Sequence, residues 1–216
     1  NFGNGSTLVT VSQPCANSGN VKGQQLNVPS YVENVFELLG HHEMGHPGEF
    51  FLDAHVGYLY YVPHSDETRE TTLAHLPIVD HLIAAQDADN VAFQGVTFEH
   101  TTWMEPSTGE GFVETQSGYC TICRHCSCGD MPCHAANCTC VGRETPAALR
   151  FSHCRDIRFS SCMFRHLGSN GISFTNGSIG NSVLHSHFED VSASAVAIGL
   201  RSNPVTTPVA QRDFNN

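Results

Sequence analysis

An all-β fold, a parallel β-helix (solenoid) of short stacked strands, is what this 216-residue sequence predicts, and three observations predict it. Short apolar pairs recur at a spacing near 24 residues between Val91 and Ile198. The pairs have the form apolar–x–apolar, which is strand alternation rather than the i, i+3, i+4 spacing of a helix. The composition is rich in turns and poor in charge, with 19 Gly, 10 Pro and 14% charged residues. A disordered chain would show the reverse balance.

The recurrence carries most of the weight. Asn90-Val-Ala-Phe-Gln-Gly-Val-Thr-Phe-Glu-His100 matches Asp156-Ile-Arg-Phe-Ser-Ser-Cys-Met-Phe-Arg-His166. Val91, Phe93 and Phe98 align with Ile157, Phe159 and Phe164. Val183 and Phe188 continue the Phe159 and Phe164 columns 24 positions later. Ile172 and Phe174 recur 24 positions on as Val196 and Ile198, and Leu149 and Phe151 precede them by 23. A constant period of this length is the mark of a solenoid, in which each repeat buries its apolar face against its neighbours. A β-sandwich predicts alternating strands but no aligned motifs at a fixed period.

Four segments are expected. Residues 1–76 form a β-rich prelude. In it Leu8–Ser12 alternates as a strand. Tyr31–Leu39 is a short helix candidate, with Val32, Val35, Phe36 and Leu39 on one face. Ser30 and Glu33 would form its capping box and Gly40 its end. Residues 49–62 then read as a hairpin turning over Asp53–Gly57. Residues 77–118 form the first coils, 119–142 a Cys-rich insert, and 143–216 further, truncated coils.

Seven of the ten cysteines lie between Cys120 and Cys140. The insert is too poor in apolar residues for a core of its own, so covalent staples are expected to hold it. The disulfide candidates are Cys15, Cys120, Cys123, Cys126, Cys128, Cys133, Cys138, Cys140 and Cys154. Seven is odd, so one of that cluster needs Cys15 or Cys154 as a partner, or stays free. The rival is zinc, held by Cys120 and Cys123 with Cys138 and Cys140, or with His125 and His134. Cys162 aligns with Val96 and Ser186 and reads as a small core residue. Asn4, Asn137 and Asn176 begin Asn-x-Ser/Thr sequons. Sequons beside dense cysteine favour an extracellular, secreted, glycosylated protein.

The net charge of −11, without a Lys/Arg run, argues against a nucleic-acid partner. No apolar run approaches the ~20 residues that span a bilayer. His42-Glu43-Met44-Gly45-His46 matches H-E-x-x-H, but zinc proteases need that motif on a continuous helix. Gly40, Gly45, Pro47 and Gly48 deny it one, so a His-rich loop is expected. An adventitious surface site at His41, His42 and His46 is the other reading. No metal or other cofactor is expected.

The order of YVENVFELL, GEFFLD, GYLYYVP, NVAFQGVTFEHTTW, FRHLGSNGISF and FEDVSASAVAIG resembles right-handed parallel β-helix repeat proteins similar to glycoside hydrolase family 141. The resemblance runs from about Thr7 to the last residue, outside the Cys-rich insert. It implies a right-handed coil and a carbohydrate association. It also implies catalytic carboxylates on later coils, so no catalytic residue is carried over, and this chain reads as a piece of a longer polypeptide. Within it, glycosidase chemistry would need two carboxylates across the scissile bond. Glu99, Glu105, Glu110, Glu114 and Asp190 are the acidic residues in or beside the coils. Trp103 is a candidate glycan platform or a residue packing a loop on the coils.

Two functions are expected from these features. One is a structural or glycan-associated module of a larger extracellular protein or fibre. Its partners would be the rest of the polypeptide, stacked copies of itself, or glycans. The other is the N-terminal portion of a glycoside hydrolase acting on a complex polysaccharide.

Overall fold

The computed structural model describes residues 35–40, 46–108, 112, 114–116, 118–124 and 139–200. Those residues are all-β apart from two single 3₁₀ turns, Phe36–Leu38 and Glu105–Ser107. They fall into two compact units that divide between His75 and Leu76.

The first unit is built on a hairpin. Strands β1 (Phe50–Asp53) and β2 (Tyr58–Tyr61) pair antiparallel, from Phe50 opposite Tyr61 to Asp53 opposite Tyr58. The Asp53 carboxylate accepts the amides of His55 and Val56 at 3.0 and 3.3 Å, which closes the turn locally. Glu67 ties the following loop down by accepting Tyr61 Oη–H at 2.6 Å and the His64 amide at 2.9 Å. The helix expected over Tyr31–Leu39 shortens, among its described residues, to the 3₁₀ turn Phe36–Leu38. Val35 is extended, at φ −111° and ψ 111°, so no helical face continues through it. Phe36 packs instead on Phe51 and Tyr60, at centroid distances of 5.3 and 5.0 Å.

In the second unit three passes of the chain supply strands to three parallel sheets in a repeating order. The first pass is β3 (Ile83–Gln86), β4 (Ala92–Gln94) and β5 (Thr97–Glu99). An excursion from Thr101 to Pro146 follows, carrying the antiparallel strands β6 (Glu114–Gln116), β7 (Tyr119–Arg124) and β8 (Thr139–Glu144). The second pass is β9 (Ala147–Ser152), β10 (Arg158–Ser160) and β11 (Met163–Leu167). The third is β12 (Asn170–Thr175), β13 (Ser182–Leu184) and β14 (His187–Val191), and β15 (Val196–Ile198) opens another. The open sheets read β15-β12-β9-β3, β13-β10-β4 and β14-β11-β5.

Register follows the sequence columns. Phe159 pairs with Phe93 and Val183, and Phe164 with Phe98 and Phe188. Ile172 pairs with Leu149 and Val196. Adjacent strands lie about 4.8 Å apart, which is stacking distance for in-register rings. Phe93 and Phe159 stack at 4.8 Å and 13°, Phe98 and Phe164 at 5.2 Å and 12°. The second pass holds the deepest residues, with Leu149, Ile157, Phe159 and Phe164 all 0% exposed. Phe93 and Phe188, in the outer passes, are only partly buried against this core.

Four columns of corner residues turn the chain from strand to strand. They are Asp87, His153, Asn176 and Gly199; Asn90, Asp156 and Gly180; Gly95, Ser161 and His185; and His100, His166 and Asp190. All have positive φ, and they include every such non-glycine residue among those described. Left-handed backbone favours Gly and, among other residues, Asn, Asp and His, and these four types fill every corner but Ser161.

Candidate functional site

The β5-β11-β14 sheet and its corner assemble a dense group of ionisable side chains among the described residues of the second unit. Phe98, Phe164 and Phe188 belong to the inward column, so strand alternation turns the next residues, Glu99, Arg165 and Glu189, outward. Register sets these three side by side, with Arg165 between the carboxylates. His100, His166 and Asp190 follow at the corner.

Arg165 Nε donates to Glu99 Oε2 at 2.6 Å. His100 Nε2 lies 3.8 Å from Glu99 Oε1. The His100 and His166 rings stack at 5.1 Å and 13°. His166 Nδ1 sits 2.8 Å from Asp190 Oδ2, and His187 Nε2 lies 3.8 Å from Glu189 Oε2. The hydrogen bond from Arg165, helped by its charge, holds Glu99 below the usual glutamate range despite partial burial.

That direction decides part of the chemistry. A glycosidase acid must keep its proton near neutral pH, which needs a raised pKa. Glu99 goes the other way. So does Asp80, lowered first by its hydrogen bond to His81 and then by Arg150. Glu67 is lowered by the Tyr61 hydroxyl. Glu67, Asp80 and Glu99 are thus all shifted towards ionisation. The ridge sets one tightly held ion pair, Glu99 with Arg165, beside further hydrogen-bonding side chains.

The structure brings Glu99 and Asp190 to one ridge. It separates Glu105, which pairs with Arg143 within the excursion. Glu110 lies outside the described residues, and Glu114 sits in β6. Trp103 is half-buried and meets Phe112 edge-on, at 4.6 Å and 70°. Its backbone is laid against Gly168, where a Cβ would come within 2.8 Å of Thr102 Cα and Trp103 N. Asn176 is an exposed corner residue whose Nδ2 donates to Ser152 Oγ at 2.9 Å.

Cys154, a disulfide candidate on the sequence, is a free buried thiol. Its Sγ–H points to the carbonyls of Ser152 and Ala85, at 3.3 and 3.6 Å. It belongs to the core column of Ala88 and Ser178, which leaves it no cysteine to face. Cys162 is likewise free and buried. Cys120, Cys123 and Cys140 lie in β7 and β8. Cys15, Cys126, Cys128, Cys133, Cys138, Asn4, Asn137, His41, His42, His125 and His134 lie outside the described residues. Among the described residues no group of three or more His, Cys, Asp or Glu is placed to hold a metal ion, and no helix is long and apolar enough to cross a membrane.

Sequence reasoning missed the polar residues that join one pass to the next. Ser178 Oγ accepts the Cys154 amide at 3.1 Å, and Ser186 Oγ accepts the Cys162 amide at 3.1 Å. Asn181 Oδ1 accepts the Ile157 amide at 2.9 Å, and Asn170 Oδ1 accepts the Ser194 amide at 2.9 Å. Each bond spans 24 residues. The available signal was the small polar residues falling in columns otherwise apolar.

No family model, curated protein or solved structure matches the chain.

Proposed function

We propose that the second unit is a right-handed parallel β-helix. In this reading the chain is a structural or glycan-associated module of a larger secreted protein or fibre. The observation that carries the reading is the repeating order of parallel strands, one per sheet per pass, with inward side chains in register. Right-handedness follows from the strong general preference of parallel crossover connections for that hand. The half-buried columns of the outer passes support further passes or stacked copies as partners, because open parallel edges invite another strand. The cysteine density and the sequons at Asn4, Asn137 and Asn176 support an extracellular setting. The polar ridge at Glu99, Arg165, Glu189 and Asp190 is the surface offered to glycans, with Trp103 near its corner.

The glycoside hydrolase reading rests on the family resemblance and remains an outcome of the test. The lowered pKa of Glu99 weighs against Glu99 as the proton donor. The chain is expressed through a secretory route. Its intact mass is measured before and after deglycosylation, its size is measured by sedimentation, and soluble sugar release from plant and microbial polysaccharides is assayed. Glycan occupancy with self-association and no hydrolysis is the expected result. Sugar release by these residues, lost in Glu99→Gln or Asp190→Asn, would overturn the structural reading in favour of the enzyme.

A further inference from the structure

We propose that Cys123 and Cys140 form a disulfide across β7 and β8, leaving Cys15 to pair within the remaining cysteines of the excursion. The proposal rests on the secreted setting argued above, since it needs an oxidising compartment. Its geometric basis is independent of that setting.

β7 and β8 pair antiparallel over six consecutive positions, from Tyr119 opposite Glu144 to Arg124 opposite Thr139. Cys123 stands directly opposite Cys140. Opposed residues in an antiparallel pair have Cα atoms about 4.5 or 5.5 Å apart, according to the hydrogen-bonding type of the pair. Both distances fall in the range of about 4.4–6.8 Å that a disulfide spans. The Thr145 amide donates to Gly118 O at 2.7 Å, one step outside the same register, so by alternation Cys123 and Cys140 fall on the closer, non-hydrogen-bonded spacing, the one that also brings Cβ atoms within disulfide reach. Cys120, the other cysteine of β7, stands opposite Arg143 and has no such partner in the ladder.

The same ladder disfavours the zinc alternative. Cys120 and Cys123 are three positions apart on a strand and so lie on opposite faces of it. A zinc knuckle needs both on one side of a tight turn.

The cysteine count then closes. Cys154 and Cys162 are free and buried in the core, with sulfurs turned to backbone carbonyls. Removing those two from ten leaves an even number, Cys15 and the seven of the excursion. Once Cys123 and Cys140 are joined, Cys15, Cys120, Cys126, Cys128, Cys133 and Cys138 remain, again an even set.

The chemistry is thiol–disulfide exchange with an oxidised dithiol or small-molecule disulfide as the oxidant. The Cys123 thiolate attacks one sulfur of the donor, and the first donor thiol leaves. The Cys140 thiolate then attacks the mixed disulfide at the Cys123 sulfur, and the second donor thiol leaves. One S–S bond forms and one breaks. The two protons from the protein thiols end on the reduced donor.

The test uses the full chain recovered from an oxidising secretory compartment. It is denatured without reduction, its free thiols are alkylated, and the labels are mapped by mass spectrometry. The native sequence should label at Cys154 and Cys162 alone. Cys123→Ser should add one label, at Cys140, and Cys140→Ser one at Cys123. The double variant should return to the native pattern. Should a single variant fail to fold, electron-transfer fragmentation of the unreduced native digest between Cys120 and Cys123 identifies the linked residue directly. A new label at any other cysteine, or a fragment joining Cys123 elsewhere, overturns the pairing. Stoichiometric zinc with unlabelled cysteines that become reactive on chelation overturns it too. Alkylation of all ten cysteines in secreted material sinks the extracellular reading with the pairing, whereas oxidised cysteines in another pattern sink the pairing alone.

Discussion

The ring of Phe164 lies 4.5 Å from that of Phe188, which is 24 residues further along the chain, and their planes are 9° apart. The contact joins the second pass to the third. It also sets up a comparison of depth, because Phe159 has neighbours on all sides: it meets Phe93, Phe98, Phe151 and Phe164. Phe159→Ala should lower unfolding stability by about 3–5 kcal/mol, the usual cost of emptying a fully packed aromatic site. Phe188→Ala, in the half-buried outer pass, should cost roughly half as much, because its site is already partly open to water. Urea denaturation of the two variants checks this. Equal losses would contradict the burial gradient.

Asn181 should matter for a different reason. Its side-chain carbonyl satisfies the buried amide of Ile157. Asn181→Ala removes the acceptor and strands that N–H, at a cost of about 1–3 kcal/mol. Hydrogen exchange at the Ile157 amide should accelerate in step with the loss of stability. Unchanged exchange would mean that the amide has another acceptor.

Gly168 holds the start of the excursion against the second pass. A Cβ there would meet backbone atoms of Thr101, Thr102 and Trp103 at 2.8–2.9 Å, and backbone cannot swing aside as a side chain can. Gly168→Ala should destabilise by about 1–3 kcal/mol, as overpacking usually does. It should also expose the amides of Thr101 and Thr102, now bonded to His166 O and Val79 O. Faster exchange at those two amides, with the Ile157 amide little changed, is the expected pattern.

The third corner column offers a test with opposite signs. Gly95 and Ser161 occupy equivalent corners at φ +65° and +52°. Nothing lies within 4 Å of a Cβ built on Gly95, so Gly95→Ala meets only backbone strain. It should destabilise by about 1 kcal/mol. Ser161→Gly relieves the same strain and should stabilise slightly, net of the added freedom of the unfolded chain. Thermal denaturation of both variants reads the two signs.

Glu99 makes stability depend on pH in a defined sense. Its native pKa is lowered from 4.5, chiefly by the Arg165 hydrogen bond. A lowered carboxylate pKa means that the unfolded chain binds the proton more readily. The contribution is therefore fully present above the ordinary glutamate range and fades as pH falls below it, through the lowered native value. Arg165→Gln should move the Glu99 titration back up, read by NMR of the side-chain carboxylate. It should also flatten the acid limb of the stability curve. A Glu99 titration indifferent to Arg165 would refute the assignment.

Much of this was legible in the sequence because strand stacking copies itself. Leu149, Ile172 and Val196 could be aligned before any coordinates, and they are register partners. The hairpin over Phe50–Tyr61 was legible from its aromatic strands and its Asp–Gly turn. The helix expected over Tyr31–Leu39 misled in its described part, Val35–Leu39, because apolar spacing alone does not show that Val35 is extended and Phe36 is held by Phe51 and Tyr60. Cys154 misled in the same way. Cysteine parity counts thiols without saying which are sealed in the core.

By itself the sequence determined which side chains recur and therefore which share a column, since alternation and period are properties of the chain. Only the tertiary structure decided what the columns do. It set Arg165 against Glu99, 66 residues away, and Asp190 against His166. It sealed Cys154 and Cys162 in the core and put Cys123 opposite Cys140. Those outcomes depend on distances of a few ångströms between segments remote in sequence. A one-dimensional period fixes register along a column but not the charge, depth or partner that each position meets in space.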